Sequence, residues 1–155
     1  MKLNSNKGMY LEEIINNSIK FYKHNNIAII HKLPIPVKIF ENKENIIKGK
    51  LYLKSNVDYY GIYKGQFVCI EAKQTNENYF YLRHIAEHQW NYMKSICEHQ
   101  GLSYLIIHFN LTNSFYRIPF ENILNNPNLK KIDEKWCNEF GKQLPIYFPG
   151  RIELL

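Results

Sequence analysis

The first half of the chain alternates between helical and extended hydrophobic patterns. From Gly8 to His24, apolar residues recur at three- and four-residue spacing, which predicts an amphipathic helix. The apolar run 27–31 predicts a short strand. Two prolines then block a helix and keep the chain extended, since Pro34-Ile35-Pro36 follows at once. Apolar residues mixed with lysines over residues 34–54 predict a protruding two-stranded arm.

The second half predicts one sheet with helices around it. Two runs rich in aromatic and β-branched residues flank Lys64-Gly65 and predict a β-hairpin with a tight turn. Residues 83–100 predict a second helix, 102–109 and 115–118 predict strands, and the remainder predicts an irregular region. This order favours the α/β class, with a mixed central β-sheet flanked by helices. The 155 residues are enough for a single domain over 1–155.

Two adjacent glutamates in the first helix have different expected environments. Glu13 falls on the polar face, whereas Glu12 falls at the edge of the apolar stripe that contains Ile15 and Ile19. A carboxylate that packs beside the core costs free energy unless a cation or a hydrogen-bond donor meets it. Glu12 is therefore a candidate functional residue, and Glu13 is expected on the surface.

The net charge is unevenly distributed along the chain. With 20 basic and 14 acidic residues the chain carries +6, and its pI is about 9.1. Residues 31–54 alone carry six lysines and two glutamates, whereas residues 55–155 carry ten charges of each sign. A local basic excess is typical of a surface that contacts nucleic acid. The alternative is a coding bias toward Lys, Asn and Ile, although such a bias should not concentrate the charge in one segment.

Cysteine usage and hydropathy bear on the compartment. The three cysteines, Cys69, Cys97 and Cys137, have no CxxC spacing, which disfavours a disulfide framework and a zinc ribbon and fits a reducing cytoplasm. No signal peptide is visible. No apolar run approaches the roughly 18 residues that a membrane-spanning helix needs. A cytoplasmic location without membrane contact is expected.

The predicted hairpin carries the chemically informative residues. If Lys64-Gly65 is the two-residue loop, cross-strand partners have numbers that sum to 129, which places Asp58 opposite Glu71 with Lys73 on the same face. Carboxylates about 5 Å apart repel each other unless a cation lies between them or one is protonated. Two carboxylates with a nearby ammonium are what metal-dependent phosphodiester hydrolysis needs. The alternative is a surface salt bridge, against which the apolar run 67–70 argues.

These residues resemble a known signature. Asp58 followed by Glu71-Ala72-Lys73 resembles the PD-(D/E)xK nuclease motif, and the surrounding sequence resembles the RecU Holliday-junction resolvases. The resemblance covers nearly the whole chain in one order. The matching stretches are Asn6-Lys7-Gly8-Met9, Ile27 to Lys32 with Pro34, Pro36 and Val37, Asp58 to Gly65, Glu71 to Thr75, His88-Gln89, Met93-Lys94 and Arg151-Ile152.

The resemblance implies a restriction-endonuclease-like fold in which the arm is a stalk that projects toward the centre of a four-way DNA junction. It implies Lys73 as the catalytic lysine and Gln89 as a residue that supports the site. The metal would be Mg²⁺, with Mn²⁺ able to substitute. Its implied ligands are Asp58, Glu71, Glu12 and the backbone carbonyl of Ala72.

The same resemblance implies an endonuclease of recombination and DNA repair that acts as a homodimer and cuts two opposed strands symmetrically. Recombinase and branch-migration proteins are further candidate partners. Basic residues expected to contact DNA are Lys7, Lys32, Lys38, Lys43, Lys48, Lys50, Lys54 and Arg151.

The sequence departs from the family pattern in the stalk and beside the aspartate. Val57 and Ile35 stand where the family usually has threonine, and the stalk is shorter and lacks arginine. Two alternatives therefore stay open, a nuclease of the same superfamily with another DNA substrate and an inactive DNA-binding module. A third is a zinc peptidase, because His84-Ile85-Ala86-Glu87-His88 fits the H-x-x-E-H pattern.

Overall fold

The computed structural model describes residues 7–43, 46–52 and 55–155, in which helices and strands alternate. The elements up to the hairpin are α1 (Lys7–His24), β1 (Ile29–Lys32), β2 (Val37–Lys43), β3 (Ile46–Leu51), β4 (Tyr59–Tyr63) and β5 (Gln66–Thr75). The later ones are β6 (Tyr79–Tyr81), a 3₁₀ turn (Leu82–His84), α2 (Glu87–Glu98), β7 (Leu102–Phe109), β8 (Ser114–Pro119), α3 (Phe120–Leu124), β9 (Lys131–Asp133), α4 (Glu134–Phe140) and β10 (Lys142–Leu144).

A six-stranded sheet forms the centre, in the order β1-β4-β5-β7-β8-β10. The β5–β7 pair is parallel and the other neighbouring pairs are antiparallel. This confirms the predicted α/β class with a mixed central sheet flanked by helices. None of the helices in the described ranges is long and apolar enough to cross a membrane.

Each face of the sheet carries its own hydrophobic core, and the alternation of β5 decides which residue belongs to which. Val68 and Ile70 pack in the core on the α1 side, together with Ile15. Cys69, between them in sequence, packs in the other core with Met93 of α2. Successive side chains of a strand point to opposite faces. Glu71 and Lys73 therefore follow Cys69 on the α2 side, and Ala72 follows Ile70 on the α1 side.

The hairpin of β4 and β5 has the predicted register. Pairs run from Tyr63–Gln66 to Tyr59–Ile70, so partner numbers sum to 129. Lys64 and Gly65 form the loop with φ values of 48° and 81°. Two consecutive residues with positive φ are the requirement of a type I′ turn, whose twist matches that of the strands it joins.

The predicted arm contains a separate two-stranded sheet. Among the strands of the described residues, β2 and β3 pair with each other and with no third strand, and their register shifts between Ile39 and Glu41. The base of the arm is closed by a hydrogen bond from the Tyr52 amide to the Pro36 carbonyl (2.8 Å). The arm therefore extends from the main sheet as its own ribbon.

The start of the second helix and the C-terminal region differ from the prediction. The second helix begins at Glu87, four residues later than predicted, because Ile85 and Ala86 are extended and the side-chain oxygen of Gln89 caps the Ala86 amide. The C-terminal region predicted as irregular contains α3, β9, α4 and β10. These elements span only three to seven residues, too few for a hydrophobic period to be recognised.

Candidate active site

Asp58 lies where β4 and β5 stop pairing. The last pair of the ladder is Tyr59–Ile70, and Asp58 is the residue before β4. Its carboxylate Oδ2 accepts a hydrogen bond from the Ala72 amide (2.9 Å), and its own carbonyl accepts one from the Leu33 amide (2.8 Å). The aspartate side chain thus replaces a strand partner for β5 and is held next to the Glu71–Lys73 segment.

Glu71, Lys73 and Gln89 form a hydrogen-bonded cluster between β5 and α2. The Lys73 ammonium lies 2.6 Å from Glu71 Oε1, and Gln89 Nε2 donates to the same oxygen (2.7 Å). Gln89 Oε1 accepts from Lys73 Nζ (3.2 Å) and from the Ala86 amide (3.2 Å). Since both ends of the glutamine amide are used, Gln89 holds the lysine and the glutamate in one relative position.

The carboxylate of Glu71 is almost completely buried. Its side chain is 1% exposed, and burial raises its pKa to about 7, with the charge of Asp58 adding to the effect and Lys73 opposing it. Its second oxygen, Oε2, has no hydrogen-bond partner among the described residues. A buried carboxylate oxygen without a donor is costly unless a proton or a cation meets it.

Glu12 and Asp58 line one cleft of about 220 Å³ on the α1 side of the sheet, together with Lys32 and Ala72. Glu12 forms an ion pair with Lys32, and both side chains are about half exposed. The Lys32 ammonium is thus the cation that a carboxylate at the edge of the apolar stripe was expected to need. Glu13 is exposed, as predicted.

Two of the predicted metal ligands, Asp58 and Glu71, lie beside or in β5, and the third carboxylate, Glu12, lies in α1. Within residues 7–43, 46–52 and 55–155, no group of three or more His, Cys, Asp and Glu side chains is placed to hold a metal ion. The carboxylate of Glu12 is paired with Lys32. Asp58 and Glu71 still offer oxygen ligands of the kind that Mg²⁺ prefers, including the unpartnered Oε2 of Glu71.

The H-x-x-E-H pattern does not place its two histidines on one helix. His84 ends the 3₁₀ turn, whereas His88 lies in the first turn of α2. His88 is hydrogen-bonded through Nε2 to the Ser55 carbonyl (3.1 Å), three residues before Asp58. The sequence did not reveal this role of His88 because its partner is a backbone carbonyl 33 residues away.

The basic residues predicted to contact DNA have different partners. Lys43 and Lys48 both pair with Glu41 at 3.4 and 2.9 Å. Lys38 and Lys50 lie directly opposite each other in the arm, and both are exposed. Like charges in direct opposition destabilise a strand pair, so an anion that binds both would relieve the repulsion.

The remaining predicted DNA contacts lie elsewhere. The Arg151 guanidinium packs over the rings of Phe21 (3.9 Å) and Tyr147 (4.9 Å). Lys7 is the first residue of α1, and Lys54 lies outside the described residues. Val57, which stands in place of the usual threonine, is 1% exposed and packs in the core on the α2 side.

Comparison with known proteins identifies relatives along almost the whole chain. The family model "RecU: Recombination protein U" matches residues 6–155. Holliday junction resolvase RecU of Ureaplasma parvum serovar 3 is 36% identical over 152 residues, covering 96% of this chain and 89% of the relative. The protein of the same name from Mycoplasmopsis pulmonis is 35% identical over 153 residues, covering 99% and 94%.

The fold also has a match among solved structures. Hjc of Archaeoglobus fulgidus, a Holliday junction resolvase from an archaeal hyperthermophile, superposes with a TM-score of 0.52 at 12% identity, covering 86% of this chain and 93% of that one. At this identity the likeness concerns the fold, and it agrees with the mixed sheet flanked by helices.

Proposed function

Because the chain belongs to the RecU family, we propose that it is a structure-selective endonuclease that resolves four-way DNA junctions by metal-dependent hydrolysis of two opposed strands. The curated relatives carry the name Holliday junction resolvase. The observation that carries the proposal is the arrangement of Asp58, Glu71 and Lys73 at the edge of β5, with Gln89 bridging the last two.

The metal would be Mg²⁺, with Mn²⁺ able to replace it, held by Asp58, Glu71 and the backbone carbonyl of Ala72. The unpartnered Oε2 of Glu71 supports this assignment, because a cation would meet the otherwise uncompensated oxygen. When bound, Mg²⁺ supplies positive charge that acidifies water and neutralises charge on phosphate. Glu12, which shares a cleft with Asp58, would support the acidic site from α1.

Lys73 is the catalytic lysine in this proposal. Its side chain is 22% exposed, whereas that of its partner Glu71 is 1% exposed, so Lys73 is the member of the pair that an incoming phosphodiester would reach. A fixed positive charge at that place stabilises the negative charge that develops on phosphorus oxygens during hydrolysis. Gln89 keeps the ammonium aimed, because it accepts a hydrogen bond from Lys73 while donating one to Glu71.

The arm would be the stalk that enters the junction. Its large apolar side chains are unusually exposed, and clustered exposed apolar residues mark interaction surfaces. Those at least 48% exposed are Ile35, Val37, Ile39, Phe40, Ile46, Ile47, Leu51 and Tyr52. Lys38 and Lys50, two positive charges that face each other across the arm, would bind phosphate beside these apolar side chains.

We further propose that the chain acts as one nuclease domain with the arm as an insertion, that it forms a homodimer, and that it works in the cytoplasm. The described residues of one chain form one such cluster, so cutting two opposed strands of a symmetric junction requires two copies related by a two-fold axis. Light scattering at micromolar concentration tests the dimer, and a mass of one chain would contradict it.

The decisive test is a synthetic four-way junction with labelled strands. With Mg²⁺, the protein should nick two opposed strands and largely spare a linear duplex of the same sequence. Asp58→Ala should bind the junction without cutting it. Binding without cutting by the unsubstituted protein would indicate an inactive DNA-binding module, and equal cutting of linear duplex would indicate another DNA substrate.

A further inference from the structure

A basic and aromatic surface lies on the ribbon formed by β6 and β9. Tyr81 pairs with Lys131 in this ribbon, and Phe80 pairs with Ile132. Phe80 and Ile132 are buried in the core on the α2 side, so their strand neighbours Tyr79 and Tyr81 point outward and are partly exposed. The outward face of the ribbon is therefore free of the core.

Two cations rest on the outward rings. The Arg83 guanidinium lies 4.5 Å from the centre of the Tyr81 ring, and the Lys131 ammonium lies 4.5 Å from that of Tyr79. The two rings meet edge to face at 5.0 Å. Contacts of this kind position a cation by attraction to the ring and leave its charge unneutralised.

Two of the nearby carboxylates are engaged elsewhere, whereas the exposed Glu77 lies close enough for its charge to act on Tyr79. The Asp133 carboxylate caps α4 by accepting from the Trp136 amide (2.8 Å). That of Glu134 accepts from the hydroxyl groups of Thr112 (2.8 Å) and Tyr116 (3.0 Å). Across the part of the chain that the structure describes, no ion pair involves Arg83 or Lys131. Both cations are exposed and available to an external anion.

The ribbon is attached to the candidate site at both ends. On one side, Thr75 ends β5 two residues after Lys73, and its hydroxyl donates to the Tyr79 carbonyl (2.9 Å). On the other side, Arg83 lies six residues before Gln89. Six residues span at most about 20 Å, which is the length of about six phosphates along one DNA strand.

We propose that the outward face of the ribbon binds the phosphate backbone of the duplex arm next to the scissile phosphate, through Arg83 and Lys131. This inference rests on the proposed function only in taking DNA as the substrate. The surface is separate from the stalk, and the balanced charge of residues 55–155 conceals it in the sequence. The fold places the two cations over adjoining rings and engages Asp133 and Glu134 in hydrogen bonds elsewhere.

The test is the salt dependence of junction binding, measured without divalent metal so that no cleavage occurs. Removing two phosphate contacts with R83Q/K131Q should lower the slope of log affinity against log salt by about 1.8, so that the affinity ratio of wild type to variant changes about tenfold between 50 and 200 mM salt. Lys20→Gln with Lys94→Gln removes the same charge from the surfaces of two helices and should leave the slope near wild type.

A second comparison uses the length of the junction arms. Shortening each arm to fewer than about six base pairs should weaken binding by the wild type and have little further effect on R83Q/K131Q. A wild-type slope in that variant, or equal sensitivity of both proteins to arm length, would overturn the inference. Cleavage by the wild type with Mg²⁺ is measured in parallel, and its absence would contradict the proposed function while leaving the metal-free binding result readable.

Discussion

The Ala72 amide donates a 2.9 Å hydrogen bond to Oδ2 of Asp58, so that a carboxylate takes over the role of a strand partner for β5. This contact holds Asp58 beside Glu71, whose pKa its negative charge helps to raise. The backbone of the central strand therefore positions the two carboxylates that the proposed metal would join.

Asp58→Asn separates the charge of Asp58 from this positioning role. The asparagine oxygen still accepts from Ala72, but the site loses a negative ligand, so junction cleavage should fall by more than about a hundredfold while binding remains within about threefold. Cleavage is measured by denaturing gel and binding by mobility shift. Glu13→Gln is the matched control because Glu13 is an exposed carboxylate. Wild-type cleavage by Asp58→Asn would contradict the site assignment.

Replacing Gln89 by methionine keeps the approximate volume and removes three hydrogen bonds. Glu71 Oε1 loses a donor, and the Lys73 ammonium and the Ala86 amide lose an acceptor, which should cost about 1–3 kcal/mol of unfolding free energy. Cleavage at saturating junction should fall at least about tenfold because Lys73 is no longer aimed. Gln66→Met, which removes one hydrogen bond at an exposed glutamine, should change neither property appreciably. Unchanged stability and cleavage in Gln89→Met would refute the bridging role.

The stability of the metal-free protein should depend on pH through Glu71. The pKa of this carboxyl is raised from 4.5 to about 7 in the folded state, mainly by burial. The folded state then holds the proton more tightly than the unfolded one, so the stability that this proton contributes is complete below about pH 4.5 and is lost as the pH rises toward 7 and above. The expected loss is on the order of 3 kcal/mol.

Glu71→Gln should abolish that component, so the difference between wild type and variant, read from thermal unfolding at pH 5 to 8, isolates it. Added Mg²⁺ should restore stability to the wild type at pH 8 and have less effect on the variant, since a ligand stabilises the state that binds it. Parallel pH curves for the two proteins would show that Glu71 titrates at its ordinary pKa.

Lysines of the arm should differ in their contribution to DNA binding. The exposed Lys38 and Lys50 lie opposite each other and repel, whereas Lys43 and Lys48 both form ion pairs with Glu41. K38Q/K50Q should therefore lower the salt slope of junction binding by about 1.8, and K43Q/K48Q should lower it less. Thermal unfolding of K38Q/K50Q should stay at or above the wild-type midpoint because the repulsion is gone. Equal slopes for the two double variants would show that Glu41 does not neutralise its partners.

Much of the site followed from local sequence rules. The two-residue loop Lys64-Gly65 specifies the register of the hairpin as far as the Tyr59–Ile70 pair. Asp58, the next residue, contacts the Ala72 amide through its side chain instead of pairing with Glu71. Helical spacing also distinguished Glu12 from Glu13. Both the hairpin turn and the helical period depend on residues that are close in sequence. The start of α2 was predicted too early, since its cap comes from the Gln89 side chain rather than from a recognisable capping residue.

The sequence by itself determined the class of the fold and the register of the hairpin, because periodicity and turn chemistry act over a few residues, and its resemblance to the family supplied the residues proposed to hold the metal. Only the tertiary structure decided that Gln89 joins Glu71 to Lys73, that Lys32 pairs with Glu12, and that Arg83 and Lys131 lie over adjoining rings of the ribbon. The members of these pairs are 16 to 48 positions apart in the chain. Their formation depends on how helices pack on the two faces of the sheet, which no local pattern encodes.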